Sequence, residues 1–147
     1  MAGEGKFMYI RSQMCDKVLT VQDGTMAPGQ PVGCAPASGD DHQFWYEDRI
    51  KGVIRSKADT NFVLEIQDDT LVINEYNPDE YNQKYHCTNN LVKHSEDGNC
   101  LDIAGCDDSD FARICTWEEH GADNQLWQFD HQPPAYCYII SRVDGKV

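Results

Sequence analysis

Gln43-Phe44-Trp45, Gln83-Lys84-Tyr85 and Gln125-Leu126-Trp127 are three copies of one phrase, Gln-x-aromatic. From Gln43 to Gln83 is 40 positions, and from Gln83 to Gln125 is 42. A fixed period of this size marks repeated supersecondary units, each too small to bury its own apolar face. Working outward, each copy closes a unit that opens the same way. The openings are Tyr9-Ile10-Arg11-Ser12, Val53-Ile54-Arg55-Ser56 and Leu91-Val92-Lys93-His94-Ser95. A second apolar run follows each: Val18-Leu19-Thr20-Val21, Val63-Leu64-Glu65-Ile66 and Cys100-Leu101-Asp102-Ile103. These short runs, with Phe7-Ile10, Leu71-Ile73 and Arg113-Trp117, read as strands. Asp23-Gly24, Pro28-Gly29, Asn77-Pro78 and Asp97-Gly98 between them are turn chemistry.

Three four-stranded units closing around a pseudo-threefold axis predict an all-β fold, a β-trefoil with repeats of about 40 residues. Closure removes most free sheet edges. The units span about 6–48, 52–87 and 90–130, within a domain covering 1–131. Trp45, Tyr85 and Trp127 recur at one structural position, so they are read as shared core, with each glutamine amide satisfying buried backbone groups. A fourth opening phrase, Tyr138-Ile139-Ile140-Ser141-Arg142, aligns without gaps on Tyr9-Ile10-Arg11-Ser12-Gln13 at an offset of 129. A closed trefoil has no place for it. Residues 132–147 are therefore read as a linker, Gln132-Pro133-Pro134-Ala135, and the start of a possible second trefoil.

Composition narrows the partners. The chain has 147 residues and a formal net charge of −13, which argues against nucleic acid and against an anionic membrane. No apolar run of about 18 residues exists to insert in a bilayer, and Met1–Lys6 lacks the basic-then-apolar pattern of a signal peptide. The compartment is left open. Seven cysteines, an odd count, give reduced thiols as the default; Cys106 and Cys115 are near enough in sequence to close a local loop. No cysteine or histidine spacing fits zinc, and Asp107-Asp108-Ser109-Asp110 lacks the spaced ligands of a calcium loop. No metal and no cofactor is expected. No nucleophile–base motif is visible, so no catalysis is expected either.

The third unit is richer than the others. It reads Leu101-Asp102-Ile103, then Thr116-Trp117-Glu118-Glu119-His120, then Asn124-Gln125-Leu126-Trp127. This pattern resembles the R-type, ricin B-like lectin family. Phrases such as Lys17-Val18-Leu19, Ala27-Pro28-Gly29, Gly52-Val53-Ile54-Arg55-Ser56-Lys57 and Trp117-Glu118-Glu119-His120-Gly121 are similar to the tandem-repeat galactose-binding lectins of earthworms. The resemblance covers about residues 6–130. It implies a β-trefoil and a non-enzymatic protein that recognises galactose or N-acetylgalactosamine at glycan ends. It also implies an extra polar contact at His120.

Galactose carries hydroxyls at C3 and C4, the latter axial. A carboxylate such as Asp102 accepts from both in charge-assisted hydrogen bonds. The axial hydroxyl leaves the other sugar face as a C–H patch that stacks on an indole, the role read for Trp117. Asn124 is expected to donate or accept at the C3 hydroxyl, and Gln125 to brace Asp102. In the first unit Thr20 stands for Asp102, Ala35 or a near neighbour for Trp117, and His42 for Asn124, so no galactose binding is expected there. The second unit has Glu65, Tyr76 as the nearest aromatic, and Asn82; it is expected to be silent. One working site per domain makes avidity, from a second trefoil or a dimer, the route to firm binding. The competing readings are a protein-binding trefoil, inhibitor-like or cytokine-like, and a sugar-binding appendage of a larger enzyme.

Overall fold

The computed structural model describes residues 6–132. The fourth opening phrase and Cys137 lie outside the described residues. Twelve strands run in sequence order, four to each unit. The first unit holds β1 (Met8–Ser12), β2 (Val18–Val21), β3 (Gln30–Ala35) and β4 (Trp45–Asp48). The second holds β5 (Val53–Ser56), β6 (Phe62–Gln67), β7 (Thr70–Glu75) and β8 (Tyr85–Thr88). The third holds β9 (Leu91–His94), β10 (Cys100–Ile103), β11 (Ile114–Trp117) and β12 (Trp127–His131). The chain is a β-trefoil. The aromatic of each Gln-x-aromatic phrase begins the fourth strand of its unit.

Closure is antiparallel throughout. β1 pairs with β12 from Met8↔His131 to Ser12↔Trp127 and touches β4 at Met8↔Trp45. β4 pairs with β5, and β8 with β9. The hairpins β2–β3, β6–β7 and β10–β11 form the other layer, with β3 joined to β7. Two tight turns carry left-handed residues at both central positions, Asp68-Asp69 (φ 51° and 58°) and Asn89-Asn90 (φ 50° and 66°). Asp and Asn tolerate that region better than other side chains with a Cβ.

The Gln-x-aromatic phrase bonds through all three residues. The Nε2 of Gln43, Gln83 and Gln125 donates to the carbonyls of Pro36 (2.9 Å), Glu75 (3.0 Å) and Glu118 (2.8 Å). Each Oε1 accepts from a backbone N–H two residues further on: Ser38 at 2.7 Å, Asn77 at 2.9 Å and His120 at 2.9 Å. The carbonyls of the middle residues, Phe44, Lys84 and Leu126, accept from Lys57, Ser95 and Gln13 at 2.9–3.0 Å, tying each unit to the next. The aromatic N–H groups of Tyr85 and Trp127 donate to Gly52 and Asn90 across the barrel. Trp45, Tyr85 and Trp127 fill the core with Ile10, Leu19, Ile54, Leu64, Val92 and Leu101. The indoles of Trp45 and Trp127 also donate to the carbonyls of Leu19 (3.1 Å) and Leu101 (3.3 Å). A buried indole needs such a partner.

All six cysteines of the described residues are free, including Cys106, which is exposed, and Cys115, which is buried, so no Cys106–Cys115 loop closes. Cys15 stands apart. A hydrogen bond from the Cys34 thiol, with help from the Lys17 N–H, the Ser12 hydroxyl and the Lys17 charge, outweighs partial burial and brings its pKa down to about 5.

Two outcomes follow from these contacts. Gln43→Ala, remote from the third unit, should lower the unfolding free energy in urea by about 1–3 kcal/mol, because it strands buried backbone groups. At pH 6, alkylation followed by mass spectrometry should label Cys15 ahead of Cys34, Cys87, Cys100 and Cys115. The first of these is pushed up by donating to Cys15, and the others are pushed up by burial. Cys15 labelling should slow as pH falls through about 5, where its thiolate is protonated.

Candidate functional site

Strand alternation sets the site. On β10, Leu101 faces the core, so Asp102 faces the other way. It is nevertheless only 5% exposed, because it forms the floor of a cleft of about 310 Å³. Trp117, the last residue of β11, pairs with Cys100 and stands 60% exposed at the cleft wall. Asn124 and Gln125 sit in the single 3₁₀ turn Asp123–Gln125, and His120 precedes it. Among these five residues, Asp102, Trp117, His120 and Asn124 line the cleft, while Gln125 lies buried behind Asp102.

The carboxylate is held from two sides. Asn124 Nδ2 donates to Oδ1 at 3.0 Å, and Gln125 Nε2 donates to Oδ2 at 3.0 Å. A buried carboxylate requires such donors. Gln125 thus both closes the loop at Glu118 and His120 and orients the floor. Asn124 Nδ2 also donates to the Ile103 carbonyl at 3.2 Å. Both its amide hydrogens are therefore committed inside the protein. The expected donation from Asn124 to a bound hydroxyl is corrected here: only Oδ1 is left, buried and without a partner among the described residues. His120 Nδ1 accepts from the Ala122 N–H at 3.1 Å, which puts the ring proton on Nε2. That atom lies 3.5 Å from Asp102 Oδ2.

Sequence reading missed Gly105, Arg113 and Asp69, which also line the cleft. Gly105 holds φ 64°, a left-handed backbone that favours glycine, and a Cβ built there would stand in open space. A glycine two residues after the Ile of Leu-Asp-Ile was the available signal. Asp69 belongs to the second unit, and no pattern within the third could reveal it.

Register fixes the equivalents. Thr20 and Glu65 occupy the Asp102 position, each contacted by its unit's glutamine: Gln43 to Thr20 Oγ1 at 3.2 Å, and Gln83 to Glu65 Oε1 at 2.9 Å. Ala35 pairs with Val18 as Trp117 pairs with Cys100. In the second unit the equivalent is Asn74, paired with Val63, and not Tyr76. The Tyr76 ring is covered instead by Arg55, 4.7 Å from its centroid, and Lys84, 5.7 Å away. Asn74 to Asn82 is also one position longer than Trp117 to Asn124. The second-unit cleft carries Glu65, Glu75 and Glu80 and no aromatic plate.

Residues 6–127 match the ricin-type beta-trefoil lectin domain family. The chain belongs to that family. Among solved structures, this lectin-family chain is similar to an earthworm R-type lectin C-half in complex with GalNAc. The two are 28% identical at a TM-score of 0.81, covering 86% of this chain and 99% of the other. It is also similar to a mutant of the earthworm lectin C-terminal domain in complex with 6'-sialyllactose, at 27% identity and TM-score 0.78, covering 86% and 99%. The designed threefold-symmetric protein ThreeFoil, at 20% identity and TM-score 0.75, covers 85% of this chain and shares the fold. No curated protein sequence matches the chain. Carbohydrate binding is the activity the family and these neighbours support.

The exposure of Trp117 makes a stability test possible. Trp117→Ala should change unfolding free energy by less than about 1 kcal/mol, as surface substitutions do. Trp127→Ala should cost about 3–5 kcal/mol. Urea denaturation of both variants measures the contrast.

Proposed function

We propose that this protein is a non-enzymatic lectin for terminal galactose or N-acetylgalactosamine, with one working site in its third unit. The observation that carries the reading is a single juxtaposition. A buried carboxylate, braced by two amides, faces a cleft whose wall is a 60% exposed indole. Asp102 accepts hydroxyl protons, because its oxygens are held as acceptors by neighbours that can only donate. Trp117 offers its plate to the sugar's C–H face. His120 Nε2–H supplies a donor at the margin. The earthworm neighbour bound to GalNAc supports the ligand class.

The other two units lack this pairing. The first has a hydroxyl at Thr20 and a methyl group at Ala35; the second has Glu65 with Asn74. One shallow pocket of this kind implies a dissociation constant of roughly 0.1–1 mM. Linked sites raise apparent affinity by roughly 10²–10⁴. The partition of the chain into one trefoil through residue 131 and a second beginning in 132–147 would supply that linkage, as would self-association.

Isothermal calorimetry with lactose tests the assignment. The wild type should bind one equivalent per chain. Trp117→Ala should weaken binding by more than tenfold, and Thr20→Ala should leave it unchanged. Binding that survives loss of Trp117, or that disappears with Thr20→Ala in a folded protein, would refute the third-unit site.

A further inference from the structure

The seams between units differ, and the difference falls beside the cleft. In the first and third units the segment joining the second and third strands leans on the next unit. The first unit uses residues 22–29, and Gly29 N–H donates to the Ile73 carbonyl on β7 at 2.8 Å. The third uses 104–113, and Phe111 N–H donates to the Cys34 carbonyl on β3 at 2.9 Å. Ile73 and Cys34 are register equivalents, facing Leu64 and Leu19. The third seam has only the two-residue turn Asp68-Asp69 to offer. Its equivalent carbonyl, that of Thr116 opposite Leu101, receives no backbone bond from the second unit. The turn is too short to reach.

A side chain spans the gap instead. Arg113 Nη1 donates to the Asp69 carbonyl at 2.7 Å and to its Oδ2 at 3.2 Å. Both residues line the cleft, and Arg113 is its one lysine or arginine. The first unit shows the opposite case. A Cβ on Gly33, the equivalent of cleft-lining Cys115, would come within 2.6 Å of the Phe111 Cα, so the long 104–113 loop occupies that ground. A low wall at the third seam leaves the cleft running on past Asp102 and Trp117. At its far side are a half-exposed guanidinium and an exposed carboxylate. Arg113 Nε and Nη2 and Asp69 Oδ1 have no protein partner among the described residues.

We propose that Asp69 and Arg113 form an extension subsite, built across the boundary of the second and third units, for the neutral sugar next to the terminal galactose. It rests on the galactose reading of the Asp102–Trp117 pocket and adds a specificity determinant to it. A fixed donor fork beside an acceptor carboxylate matches the paired hydroxyls of a second pyranose, each of which both donates and accepts. The pair is electrically balanced, so it favours a hydroxyl-rich neighbour over a charged one. Methyl β-galactoside reaches only the first pocket; lactose reaches both.

The test compares those two sugars by calorimetry on the wild type, Asp69→Asn and Arg113→Gln. Asn tolerates the left-handed turn position, so Asp69→Asn changes the charge and leaves the backbone carbonyl in place. The wild type should bind lactose roughly three- to tenfold more tightly than methyl β-galactoside, the worth of one or two net hydrogen bonds. Each variant should bring that ratio close to one, keep methyl β-galactoside affinity within about twofold, and, because the pair is exposed, lower the melting temperature by no more than about 5 °C. A wild-type ratio near one, a ratio kept by both variants, or an equal loss for both sugars would overturn the subsite while sparing the galactose pocket. Failure of the wild type to bind either sugar would remove the pocket and the subsite together.

Discussion

One amide, repeated three times, couples the fold to the site. Each Gln-x-aromatic glutamine donates to a loop carbonyl, accepts from the loop N–H two residues on, and reaches the side chain at the Asp102 position. A fully buried amide with its bonds made holds its rotamer firmly, and leaving any of them unmade is costly. The residue it touches therefore inherits a fixed place. In the third unit that residue is a carboxylate, and a folding interaction orients a cleft-facing group at no extra conformational cost. In the first unit the same amide braces a threonine hydroxyl, and the scaffold survives without the chemistry. The frame is the same in every unit, whereas the residue at the outward-facing position differs: Thr20, Glu65 and Asp102.

The trefoil was legible because its signals are local and periodic. Gln43, Gln83 and Gln125 recur at near-equal spacing, and β-branched runs bounded by Asp-Gly and Pro-Gly repeat around them. Burial of Trp45, Tyr85 and Trp127 is a consequence of recurrence at one position. The strands that begin at those aromatics were harder to see. Trp45–Asp48 and Tyr85–Thr88 are short and polar, and closure across the barrel holds them more than side-chain propensity does.

The candidate site was legible in its residues but less so in their roles. Asp102 and Trp117 stand on the two paired strands of one hairpin, so sequence spacing carries their proximity. Tyr76 misled because the nearest aromatic is not the register equivalent; Asn74 is, and only the pairing with Val63 reveals it. The commitment of both Asn124 hydrogens was invisible, since one goes to the Ile103 backbone. Asp69 was out of reach altogether. Its contribution depends on which unit's turn abuts which cleft, a fact of assembly around the threefold axis. Loop length, two residues at one seam and many more at the others, decides how open each face is.

The three tryptophans offer a direct reading of the central claim, because two are sealed in the core and one stands at the cleft wall. Titrating lactose into ¹⁵N-labelled protein and following the indole N–H resonances by NMR separates them. The Trp117 resonance should move saturably while those of Trp45 and Trp127 stay in place. A core indole that moves while Trp117 does not, or three unmoved resonances at saturating sugar, would contradict the account.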